Sequence, residues 1–126
     1  MTWSVRAYVW HVGDNLRIWS ERLVGALVSG EDEVPGYDQD LLAAAREYEH
    51  SSLAGAFWSL SGAAEDWLPV IQTAIERDVV LVHARRGAQP AARVAQNNAH
   101  DAVHHDWDVR RILESAGRHN PTPTDS

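Results

Sequence analysis

Seven apolar residues near the N-terminus, Val5, Val9, Val12, Leu16, Trp19, Leu23 and Leu27, recur at steps of three and four. At 3.6 residues per turn they fall within an arc of about 80° on a helical wheel. A strand would scatter them over both of its faces, so the spacing predicts one long amphipathic helix over residues 4–28. Ser29-Gly30 ends it, because glycine readily takes the left-handed conformation that closes a helix. A stripe of that length must be buried against other elements, and most of the remaining chain is patterned to supply them.

The stretch 31–40, EDEVPGYDQD, is a loop punctuated by Pro35-Gly36, and Asp38 is placed to cap a short helix, Gln39–Tyr48. Ser51 or Ser52 caps a third helix with apolar positions Leu53, Phe57, Leu60, Ala64, Trp67 and Ile71. Pro69 lies inside that pattern and should kink or restart the helix. Val79–Val82 is β-like, but no second run in the chain offers it a partner, so 78–87 is expected to be an extended connector. Pro90 suits the first turn of a last helix, about 91–116. The polar, proline-rich segment GRHNPTPTDS is expected to be a disordered tail. The fold class is all-α: one helical domain over 1–116, with three long helices and a short one, followed by the tail 117–126.

Charge and composition narrow the partners. The chain carries a net charge of −7 and no cluster of Lys and Arg, which argues against nucleic acid. It has no cysteine, so thiolate metal sites and cysteine nucleophiles are excluded. No apolar run approaches the roughly 20 residues of a membrane helix. The N-terminus lacks the basic region and apolar stretch of a signal peptide, so a cytoplasmic protein is expected.

The chemistry is concentrated in NNAHDAVHHDWDVRR, residues 97–111, which holds three of the seven histidines. His100 and His104 are four apart, so they stack one turn apart on one helix face and can reach one ion. His105 is rotated about 100° from His104 and is expected to point elsewhere. Ala95, Ala99, Ala102, Val103 and Leu113 form the adjoining apolar arc. His11 flanks the stripe of the first helix, and if the first and last helices pack side by side it can converge with His100 and His104. From these residues alone, hydrogen-bonded boundary histidines are the favoured reading. His50, His83 and His119 fall in a loop, the connector and the tail, where a solvated or locally hydrogen-bonded role is expected.

VWHVGDNLRIWSERL (9–23) taken with NNAHDAVHHDWDVRRIL (97–113) resembles the DinB-like superfamily, which includes the N-terminal domain of mycothiol-dependent maleylpyruvate isomerase. The resemblance covers most of 3–115 and implies a four-helix bundle with the family's usual first helix missing. It also implies a divalent metal on His11, His100 and His104, with zinc, nickel and iron equally suited to imidazole. Such a metal would activate a low-molecular-weight thiol of the mycothiol type for S-transfer or isomerisation. Asp101, Asp108 or Asn97 would orient a ligand histidine, Asp108 being best placed one turn beyond His104. The missing helix would leave a groove beside Trp10 open, favouring a homodimer, unless the short helix and connector fold over it. A non-catalytic metal-binding or dimerisation module and a metal-dependent hydrolase are the other readings.

Overall fold

The computed structural model describes residues 3–119. The first long helix, α1, is Val5–Ser29; Ser4 caps it by accepting from the Ala7 N–H, and Gly30 closes it at φ 69°. A two-residue strand, β1 (Glu33–Val34), leads to α2 (Gln39–Ala45), whose first N–H groups are accepted by the Asp38 side chain. The short helix stops before Tyr48: Arg46 ends it, Glu47 takes a left-handed turn at φ 53°, and Tyr48–His50 form a 3₁₀ turn. Ser52 then caps α3, Leu53–Glu76.

The third helix departs from expectation in two respects. It runs unbroken through Pro69. Pro69 and Glu65 are both exposed, so the Glu65 carbonyl that loses its helical donor faces solvent, which lowers the cost. Its buried residues are Ala56, Ser59, Ala63, Ile71 and Ala74, whereas Leu53 and Phe57 are exposed. Small side chains carry this contact because α1 and α3 approach closely: a Cβ on Gly13 would sit 3.2 Å from the Leu60 Cα.

The expected connector is a sheet. Val80–His83 (β2) pairs antiparallel with Gly87–Pro90 (β3), and β1 adds in parallel on the other edge, giving the order β1-β2-β3. Gly87, at φ 71°, makes the reversal after the three-residue turn 84–86. The partner strand carries no β pattern of its own, and its pairing supplies what local sequence does not. Leu81 and His83 point inward while Val80 and Val82 are exposed. Pro90 ends β3 and leads directly into α4, Ala91–His119. The helix thus takes in the first three residues of the expected tail, ending at His119; residues 120–126 lie outside the described residues.

The architecture is a helical bundle closed at one end by the small sheet. Trp19, Leu23, Val34, Ile71, Ala74, Leu81, Ala91 and Val94 form the apolar core there. These neighbours place the start of α4 against the end of α1, so the two are antiparallel, while α1 and α3 run the same way. At the other end Trp10 stacks on Tyr48, so the 3₁₀ turn covers the side of α1 expected to be open. No helix among the described residues is long and apolar enough to cross a membrane.

Candidate metal centre

Beyond its first two turns, the face that α4 turns to α1 is polar. Ala91, Val94, Asn98, Asp101, His105, Asp108 and Ile112 follow at steps of three and four, and all are buried or half-buried. In the antiparallel arrangement Asp101 and His105 come opposite His11 on α1. The His11 ring is 2% exposed and meets the His105 ring edge-on, with centroids 4.7 Å apart. The His11 Nε2 lies 3.6 Å from an Asp101 carboxylate oxygen, beyond hydrogen-bond reach, and has no hydrogen-bond partner. The His105 Nε2 lies 3.2 Å from the other Asp101 oxygen. One ligand atom from each of His11, Asp101 and His105 lies within 4.8 Å of the others, so this group could hold a metal ion.

A buried imidazole nitrogen without a partner is costly unless something satisfies it. Two imidazoles and a carboxylate form a donor set that zinc and other divalent transition metals accept. The residues therefore fit an ion, and the surrounding groups hold them in place. Asp108 lies 3.2 Å from the His105 Nδ1 and is itself bonded by Arg111. Carboxylate contact at Nδ1 directs the other nitrogen toward Asp101 and His11, as an orienting carboxylate does for a metal-bound histidine. On the far side Asn15 donates to Asp101 at 3.3 Å and accepts from the Tyr37 hydroxyl at 2.8 Å.

These contacts set the charges. Burial alone would raise the Asp101 pKa, but contacts with His105 and His11 outweigh it and hold the carboxyl well below its usual range. Burial alone would lower that of His105; Asp101 and then Asp108 reverse this, so its pKa rises above the ordinary 6.5. The Tyr37 hydroxyl is pushed up to about 12 by burial and then by Asp101.

The resemblance-derived ligands divide. His11 is in the group. His100 and His104 are exposed and line the same cavity as His11 and Asp101. His105, expected to point away, is the histidine of α4 that meets His11. The apolar arc Ala95, Ala99 and Ala102 points to one inward side, but the buried side of the helix is polar at mid-length and is rotated toward Asp101 and His105. Asp108 sits 3.8 Å from the His104 Nε2, yet closer to His105. Of the two roles expected for His83, the structure shows the locally hydrogen-bonded one: its Nδ1 accepts from the Arg85 and Arg86 N–H groups, and the ring is buried at 7% exposure and stacks on Trp19.

Two cavities flank the group. One, of about 500 Å³, touches His11, Asn15, Asp101, His100 and His104 and extends to the sheet. The other, of about 630 Å³, touches Trp3, Tyr8, His104, His105 and Asp108. Comparison with protein families, with curated proteins and with solved structures finds no match to this chain.

In the metal-free protein His105 and His83 should titrate on opposite sides of 6.5. His105 is raised; His83 is lowered by burial and then by Arg22, Arg86 and Arg85. Because the folded pKa of His105 is raised, its stabilising contribution is full below 6.5 and is lost as pH climbs through that folded value. The lowered Asp101 contributes fully above 3.8 and loses its contribution as pH falls. Imidazole proton shifts followed by NMR should place the His105 midpoint above that of His83, and Asp108→Asn should move only the former, downward. Coincident midpoints would show that His105 lacks its carboxylate partners.

Proposed function

We propose that this chain is a metal-dependent protein of the DinB-like type, with a divalent ion held by His11, Asp101 and His105, that uses a low-molecular-weight thiol for S-transfer or isomerisation of a small molecule. One observation carries the metal reading: the His11 Nε2, buried and without a partner, at the meeting point of Asp101 and His105. The thiol part rests on the resemblance of the two histidine-bearing helices. When bound, such an ion lowers the pKa of a thiol or water and so supplies a nucleophile near neutral pH. The chain's own residues do the rest. Asp108 fixes the His105 ring, Asn15 and Tyr37 hold Asp101 from the opposite side, and the cavities on either side leave room for two small molecules.

The test has two stages. Equilibrium dialysis against zinc should give one ion per chain. The loaded protein is then assayed with an aryl-halide electrophile, with and without a low-molecular-weight thiol. Thiol-dependent turnover is the expected result. Turnover in water alone makes the protein a hydrolase, and binding without turnover makes it a metal-binding module; either outcome overturns the thiol reading. Failure to bind zinc, nickel or iron overturns the metal reading itself.

A further inference from the structure

The cavity that begins at His11 and Asp101 also reaches Arg22, His83, Arg85 and Arg86. Arg22 is eleven residues beyond His11 on α1, about 16 Å along the helix axis. The chain as a whole is acidic, at −7, yet this wall is cationic. Among the described residues, none of the three arginines forms an ion pair with a carboxylate, unlike Arg17, Arg46, Arg110 and Arg111. The Arg22 guanidinium is held in place: it lies 4.6 Å from the centre of the Trp19 ring, and its Nη2 donates to the Pro35 carbonyl. Its Nη1 is buried and has no hydrogen-bond partner. An unpaired charged donor in a desolvated position costs stability unless a ligand meets it.

His83 completes the wall. Its Nδ1 accepts from the backbone N–H groups of Arg85, at 3.0 Å, and Arg86, at 3.2 Å. Accepting at Nδ1 leaves the proton of the neutral ring on Nε2, so His83 presents a donor. The same two bonds fix the hairpin turn and with it the backbone of the two arginines. Burial, and then the neighbouring arginines, lowers the pKa of the ring and favours its neutral form. The wall thus has guanidinium and imidazole donors, with no acidic side chain paired to its arginines.

We propose that Arg22, His83, Arg85 and Arg86 form a subsite for an oxyanion, a carboxylate or phosphate carried by the small molecule whose reacting end reaches His11 and Asp101. Forked guanidinium donors match both kinds of oxyanion. The role of that molecule as substrate rests on the metal-dependent reading above, but binding of the anion does not require the metal.

The test uses the full chain, stripped of metal and freed of chelator, with backbone amide shifts at Arg85, Arg86 and Gly87 as readout. Inorganic phosphate and succinate are titrated separately, at ionic strength matched with chloride. A saturable shift with at least one of them is expected, and the tighter probe names the group. Arg22→Gln and Arg86→Gln should each weaken it about ten-fold or more, and Arg93→Gln on exposed α4 should leave it unchanged. Arg86→Gln keeps the test decisive if Arg22→Gln disturbs the fold, because Arg86 is exposed on the turn. A shift that only follows ionic strength, as with chloride, or one that both variants leave intact, overturns the proposal. Since zinc takes no part, failure here is distinct from failure of the metal site.

Discussion

Replacing His105 by alanine should lower zinc affinity at least about 100-fold, because losing an orienting partner alone costs about 10–100-fold. His11→Ala and Asp101→Ala should do the same. Asp108→Asn, which removes the carboxylate from the His105 Nδ1, should fall within the 10–100-fold range. His100→Ala and His104→Ala should cost less than about ten-fold, since neither ring belongs to the converging group. Competition against a chromophoric zinc indicator reads all six variants, with circular dichroism to show that each is folded. Because His105 must lose its proton to bind, and its pKa is raised, zinc affinity should climb with pH through the range above 6.5. If His104→Ala and His100→Ala prove the most damaging, the three-histidine set implied by the family resemblance is right and the group at Asp101 and His105 is not the site.

Helix caps and the all-α class are legible in this chain, whereas strand pairing and the buried faces of α3 and α4 are not. The ends of α1, the Asp38 cap and the Ser52 cap depend on a few adjacent residues, and the sequence shows them directly. The strand Gly87–Pro90 is a strand only because Val80–His83 lies beside it. The buried side of α3 reflects a close approach to α1, where Gly13 lies against the Leu60 backbone, and it carries the small residues Ala56, Ser59 and Ala63. On α4 the H-x-x-x-H spacing drew attention to His100 and His104. A second pattern in the same residues, Asp101, His105 and Asp108 continuing the phase of Ala91, Val94 and Asn98, was available. Polar residues at buried helical positions do not register in a count of apolar ones, so this pattern has no hydrophobic signature. Asp14, likewise, carries no sequence signal of the interior role it has.

Asp14→Ala should destabilise the protein by about 3 kcal/mol and lower its melting temperature on the order of 10 °C. The carboxylate is 1% exposed and lies among three elements. One oxygen accepts from Arg17 at 2.7 Å and Arg46 at 2.6 Å; the other accepts from the Tyr48 hydroxyl. Arg17 also reaches the Ser59 hydroxyl at 2.9 Å, so the cluster ties α1 to the end of α2, to the 3₁₀ turn and to α3. Removing one partner of a buried ion pair costs about 3–5 kcal/mol. The lower end applies because the Arg17 and Arg46 side chains are 35% and 50% exposed and can turn to water. Tyr48 cannot, being 2% exposed, and its hydroxyl would be left without its acceptor. Tyr48→Phe alone should cost about 1 kcal/mol, and the double variant should be less destabilised than the sum of the two, because the stranded hydroxyl is then gone. Asp14 lines neither cavity beside the metal group, so zinc affinity measured where the variant is still folded should be unchanged. Urea unfolding of the three variants decides it: a loss below about 1 kcal/mol for Asp14→Ala would mean that the cluster is solvated and does not hold α2 and the 3₁₀ turn against α1.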